Sequence, residues 1–131
     1  MLADAANVSS DGKANVLGVF TQFIVDSVPG ACPACSLVLI LEYENGDEKN
    51  QKLLVQWREP DGEVIFKQEL NGEIDEITYP LPQIPIVINL SMLPLPKFGS
   101  YYLEISTSSS KYTLPILVIT RSEKLEVQIN E

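Results

Sequence analysis

Apolar side chains recur along this chain at every second position, in short runs that each end in residues favouring turns. Leu37, Leu39, Leu41 and Tyr43 share one face of a run in which Glu42 and Glu44 point away, and Leu53, Val55 and Trp57 repeat the pattern against Gln56 and Arg58. A period of two puts successive side chains on opposite faces of an extended strand, so each run predicts a strand with one face in a core. No stretch carries the 3.6-residue apolar period of an amphipathic helix.

The first run, residues 2–8, leads into SSDGK. There Asp11-Gly12 supplies the positive-φ step of a tight hairpin, and Ser9, Ser10 and Asp11 supply side chains that bond turn backbone. The second run covers 14–25 and is apolar on both faces in places, with Val16, Leu17, Val19, Phe20, Phe23, Ile24 and Val25. Across this hairpin Asp4 and Asn15 are expected to face each other as a small polar pair, with Asn7 and Asp11 close by. NGDEKNQ closes the run that ends at Glu44. EPDGE follows the tryptophan strand, after which Val64 and Phe66 are expected to continue inward. LNGEIDEITYPLPQIP is rich in turn residues and prolines and separates the first five strands from the last three. In the remainder, Ile84, Ile86, Ile88 and Leu90 alternate with Val87 and Asn89; Tyr101, Leu103 and Ile105 face one way; and Leu114, Ile116 and Val118 form a run that contains Pro115. Proline cannot donate to a ladder, so this last core strand is expected at a sheet edge or a bulge. RSEKLEVQINE keeps the period through Leu125, Val127 and Ile129, so residues 121–131 are expected to form an extra edge strand or tail.

About eight short strands, with turns at intervals of roughly 8 to 12 residues, predict an all-β fold: a single-domain antiparallel immunoglobulin-like β-sandwich over residues 1–131. FGSYYLEI is similar to the Gly-x-Tyr-x-apolar start of the penultimate strand of immunoglobulin-like domains, with Tyr101 where a tyrosine corner would be. The inter-sheet disulfide of antibody domains has no counterpart, because both cysteines lie together.

ADAANVSSDGKANVLGVF, residues 3–20, resembles the opening of a bacterial family of uncharacterised proteins that begin close to A-D-x-A-N-V-S-x-D-G-K-L-N-V-L-G-x-F. The second half of that family carries an apolar strand, a proline-containing loop and P-G-x-Y-x-F-E-I, matched here by VINLSMLPLPKFGSYYLEI at 87–105. The chain departs at Ala14, where the family often has leucine, and at Phe98-Gly99, where it often has Pro-Gly. The resemblance implies a sandwich fold and a bacterial cytoplasmic origin, supplies no chemistry, and implies a few more residues before Ala3 than this chain has.

Composition narrows the function. With 131 residues, 45% of them hydrophobic and 21% charged, the chain suits one self-folding domain. Its 18 acidic and 9 basic residues give a net charge of −9, and no basic cluster stands out, so nucleic acid and anionic membranes are not expected as partners. The longest apolar run, LVLIL at 37–41, is far short of the ~18 to 20 residues of a membrane span. MLADAANVSS has no secretory character, which makes a cytoplasmic location the expectation and leaves the sequons at Asn7 and Asn89 without a role. The chain has no histidine, which excludes Ser-His-Asp and Cys-His nucleophile systems and imidazole metal sites. Lys13 near Ser9 and Ser10 would have to lose its proton to act as a base, and a solvated hairpin gives it no reason to.

Cys32-Pro33-Ala34-Cys35 is the one motif with a chemistry of its own, since C-x-x-C spacing lets two sulfurs meet as a redox dithiol or as half of a tetrahedral zinc site. The chain has no third cysteine for a closed zinc site, and the motif runs into a strand rather than opening a helix, so two structural thiols are expected. Three acidic groups flank turns: Glu42, Glu44, Asp47 and Glu48; Glu59, Asp61 and Glu63; and Glu73, Asp75 and Glu76. None matches a Ca²⁺-loop pattern, and solvated turn charges explain them. The expectation is a non-catalytic protein-interaction or assembly module, with no catalytic, cofactor or metal residues. It would engage a protein partner or form a weak homodimer through an edge strand. A carboxylate-based enzyme and a carbohydrate-binding or adhesive sandwich are the alternatives.

Overall fold

The computed structural model describes residues 1–42, 50–73, 83–107 and 110–121, and all its elements are strands. Among them no helix is long and apolar enough to cross a membrane. β1 (Leu2–Val8) and β2 (Ala14–Phe20) form the predicted first hairpin. Its loop is closed by Ser9 N–H donating to Lys13 O at 2.8 Å and Gly12 N–H donating to Ser9 O at 2.9 Å, with Gly12 at φ +83. β6 (Asn50–Arg58) and β7 (Val64–Glu73) are joined by the same device, Glu59 N–H to Glu63 O and Gly62 N–H to Glu59 O, with Gly62 at φ +93. In both loops Asp-Gly puts the residue without a Cβ at the left-handed step of a type I turn plus bulge.

The remaining strands are β3 (Gln22–Val25), β4 (Gly30–Ala31), β5 (Cys35–Glu42), β8 (Gln83–Leu90), β9 (Pro94–Leu95), β10 (Gly99–Ser106) and β11 (Lys111–Thr120). They assemble into a four-stranded sheet in the order β2-β1-β5-β8, a five-stranded sheet in the order β3-β11-β10-β6-β7, and a two-stranded piece, β4-β9. The expected eight strands are therefore eleven among the described residues, and one pairing, β3 with β11, is parallel rather than antiparallel.

The expected single strand at 14–25 breaks at Thr21. β2 stays with β1, while β3 crosses to the other sheet beside β11. The break explains why that run was apolar on both faces: Phe20 and Phe23 pack on the core from different sheets. Pro115 lies inside β11, not in an outermost strand, yet β3 pairs β11 only from Leu117 to Thr120. Among the described residues β10 alone flanks the strand beside Pro115, so there it is an edge locally. The register between β6 and β7 shifts at Trp57/Arg58, which sets Val64 opposite Arg58; Ile65 and Phe66, not Val64, pack on the core.

The inward side chains of both large sheets form one cluster. Leu2, Leu37, Ile88 and Leu90 come from the four-stranded sheet and Leu53, Val55, Trp57, Tyr101, Leu103, Ile105, Ile116 and Val118 from the other. Aromatic rings run through it: Phe20 lies 5.2 Å from Phe23, Phe23 meets Trp57 edge-on at 6.3 Å, and Trp57 stacks on Tyr101 at 4.9 Å. The expected strand at the tail, with Leu125, Val127 and Ile129, lies outside the described residues, as do the acidic turns around Asp47 and Asp75.

Candidate functional site

The C-x-x-C motif sits where three small features converge. β4 leads into Cys32, whose backbone N–H donates to Leu93 O at 3.0 Å; β9 follows Leu93 immediately and pairs with β4; and Cys35 starts β5. The carbonyl of Pro94 accepts from Trp57 Nε1 at 2.9 Å, which ties this short ladder to the main core. Cys32 is 2% and Cys35 4% exposed, and both thiols are free. Ala31, Pro33 and Ala34 are exposed, so the buried sulfurs lie one residue beneath the surface of a loop.

Each thiol shifts the protonation of the other. The Cys35 thiol donates toward the Cys32 sulfur, and this bond, with help from backbone N–H groups and against the effect of burial, lowers the Cys32 thiol to about 7. The same bond holds the proton on Cys35, and burial and the charges of Cys32 and Asp4 push its pKa well above the thiol range. Asp4 approaches from β1, and the register sets it across from Gly18, not from Asn15 as expected. Gly18 has φ +71, and a Cβ there would run into the Asp4 carboxylate. Asn15 instead faces Asn7, and its Nδ2 donates to Asn7 Oδ1 at 2.9 Å.

The other sequence candidates resolve into structural work. Ser9 Oγ bonds Asp11 and the Lys13 carbonyl, and Lys13 Nζ lies 3.6 Å from Asp11 in an exposed loop, so this group closes the hairpin. Of the middle acidic group, Glu59 is buried and lies 3.9 Å from Lys97 Nζ, while Asp61 pairs with the same lysine. The Lys97 ammonium holds the Asp61 carboxyl below its ordinary range, and the Asp61 partnership raises Lys97. These contacts dock the β6–β7 loop on the corner before β10, where Tyr101 Oη donates to Lys97 O at 2.6 Å and accepts from Lys97 N–H at 3.1 Å. Among the described residues no three Cys, Asp or Glu side chains converge as metal ligands.

The two outer faces differ in kind. The five-stranded sheet presents ion pairs outward, Lys52 with Glu69, and Glu104 with both Arg58 and Lys111. By register, the outward side of the four-stranded sheet carries Leu17, Val19, Ala3, Ala5, Val38, Ile40 and Val87. Leu17 is 71%, Val19 60% and Ile40 61% exposed. Sequence reasoning missed this face because a period of two does not say which side of a two-sided apolar strand meets the core. The run of mixed apolar residues from Val16 to Val19 was the available signal.

The chain belongs to a family of unknown function (DUF6941), whose family model matches residues 1–118. No curated protein and no solved structure matches it.

Proposed function

We propose that this member of the family is a non-catalytic assembly module, an immunoglobulin-like sandwich that pairs with a second copy of itself through β2. The strand order supports the fold reading. β10 and β11 form a hairpin beside β6, a buried tryptophan on β6 packs on Tyr101, and Tyr101 bonds back to backbone four residues earlier, as at a tyrosine corner.

The observation that carries the pairing is β2 itself. Among the described residues it ends the four-stranded sheet, and it has neither a charge nor a proline. The other strands that end the two large sheets are blunted: β7 carries Lys67 and Glu69, β8 carries Pro85, and β3 has only 4 residues. Uncapped edges invite strand addition. A chain of net charge −9 repels its own kind, so self-association is least opposed where the contact is uncharged. An antiparallel pair of β2 strands with its two-fold axis at Leu17 sets that leucine against itself and Val19 against Asn15.

Covering Leu17 and Val19 on both copies contributes roughly 6 to 12 kcal/mol, against about 4 to 15 kcal/mol lost on association. The pair is therefore weak and concentration-dependent. Sedimentation velocity across concentration should show a dimer that strengthens with added salt, as the long-range repulsion is screened. Leu17→Lys should remove it while the melting temperature stays where it was. A chain that remains monomeric at every concentration and salt overturns the reading.

A further inference from the structure

We propose that residues 124–130 add a strand to the four-stranded sheet, in the gap beside Ile40 of β5, with Leu125, Val127 and Ile129 turned toward the core. The gap follows from the stagger of the sheet. β1 pairs β5 at Ala3 and Leu2, and Met1 extends the pairing: Val38 N–H donates to Met1 O at 2.8 Å, and Val38 O accepts from the Met1 ammonium at 2.9 Å. Backbone groups two residues apart in a strand point the same way, so the N–H and C=O of Ile40 also face the β1 side. Among the described residues no strand pairs β5 there, although β8 accompanies its other side as far as Glu42.

The floor of the gap is apolar and half-covered. Leu2 lies between Phe20 and Leu37, which sets those three at one level. Past that level β5 runs on through Leu39, while the chain after β2 crosses at Thr21 and runs on as β3 to Val25 in the opposite sheet. Phe20, Val25 and Leu39 all pack on the core yet stay only partly buried. The inward side chains of one further strand complete their cover.

The occupant is the chain's own end. β11 runs parallel with β3 and pairs it as far as Thr120, so the chain leaves β11 at the end of the sandwich where the gap lies. The sheets of a sandwich pack about 10 Å apart, and residues 122–131 reach roughly 33 Å when extended. To enter the gap they must turn back, which makes the added strand antiparallel to β5. KLEVQIN alternates apolar with polar, so one orientation sets Leu125, Val127 and Ile129 against Phe20, Val25 and Leu39 and leaves Glu126 and Gln128 in water on the side of the exposed Ile40. A segment tethered so close meets the gap at an effective concentration near millimolar, ahead of any second copy. Filled in this way, the β5 edge is closed to other strands.

Amide hydrogen exchange on the full chain, followed by NMR, tests the assignment. Ile40 N–H should exchange at least about tenfold more slowly in the wild type than in Val127→Asp, which puts a carboxylate where the apolar side chain turns inward. Gln128→Lys, on the side facing water, should leave it as slow as in the wild type. Val38 N–H, bonded to Met1, should be equally slow in all three, which shows that each is folded. A fast Ile40 amide in the wild type, equal rates in wild type and Val127→Asp, or fast exchange in Gln128→Lys each overturns the assignment. So does protection that grows with protein concentration, since the strand would then come from a second copy. Leu17→Lys should keep the slow Ile40 amide, so failure of the β2 pairing and failure of this inference are read separately.

Discussion

At the scale of single residues, Trp57 shows how burial and a hydrogen bond combine. Its ring stacks on Tyr101 and touches Phe23, and its Nε1 donates to Pro94 O, in the segment that covers the cysteines. Replacing it with alanine should cost about 3 to 5 kcal/mol, and part of that loss is the unpaired Pro94 carbonyl. Trp57→Phe keeps most of the ring volume but not the donor, so it should cost less and disturb β9 specifically. Urea unfolding gives the stabilities, and hydrogen exchange at Cys32 N–H, which bonds Leu93 O, reports on β9. Equal protection in Trp57→Phe and wild type would mean that the indole bond does not hold the segment. The inward direction of Trp57 was legible, because it rests on alternation with Leu53 and Val55. The environment of the cysteines was not. Spacing brings the two sulfurs together, but the groups that differentiate them come from Leu93 and Asp4, far along the chain in either direction. For the same reason the Asp4 and Asn15 pairing failed: counting across a hairpin needs the register, and only the pairing of Asn7 with Asn15 fixes it.

At the scale of elements, β11 reconciles a proline with a strand that has neighbours on both sides. Leu117 N–H donates to Thr21 O at 3.1 Å, so odd-numbered N–H groups of β11 point away from β10 and toward the β3 side. Pro115 is two residues earlier, its nitrogen faces that same side, and β3 has not yet begun to pair there. The missing donor costs no ladder bond, and its absence caps an open edge. Pro115→Val should therefore change the folding stability by no more than about 1 kcal/mol, readable from urea midpoints. A loss well beyond that would mean that the proline fixes the strand's path rather than merely occupying it. The sequence signal for an edge was sound, but it was local to one half of the strand. The sheet switch at Thr21 escaped for a related reason: a break between two runs of the same period leaves no mark until each run is seen to pair with a different partner. β4 and β9, at two residues apiece, are too short to carry a period at all.

At the scale of the whole molecule, an excess of acids works against folding, and the outer face of the five-stranded sheet shows where particular acids work for it. The buried Glu104 carboxylate lies 2.9 Å from Arg58 Nε and 3.6 Å from Lys111 Nζ. The Arg58 guanidinium beside it, with Lys111 assisting and burial opposing, holds the carboxyl below its ordinary value of 4.5. A group whose folded pKa lies below its unfolded one contributes stability above the unfolded value and loses it as pH falls through the folded one. Glu104→Gln should accordingly be less stable than wild type at pH 7, where the buried Arg58 nitrogen loses its charge partner. The gap should begin to narrow as the pH falls to about 4, the usual carboxylate range, and should close only below the lowered value that Glu104 has in the folded chain. Acidification also relieves the repulsion among the other acids, but both chains share that relief, so the difference between them isolates Glu104. Urea midpoints for the two proteins from pH 7 to acid would carry the comparison. A gap that stayed constant would show that Glu104 acts by shape, and one that widened in acid would show that it is held as the neutral acid.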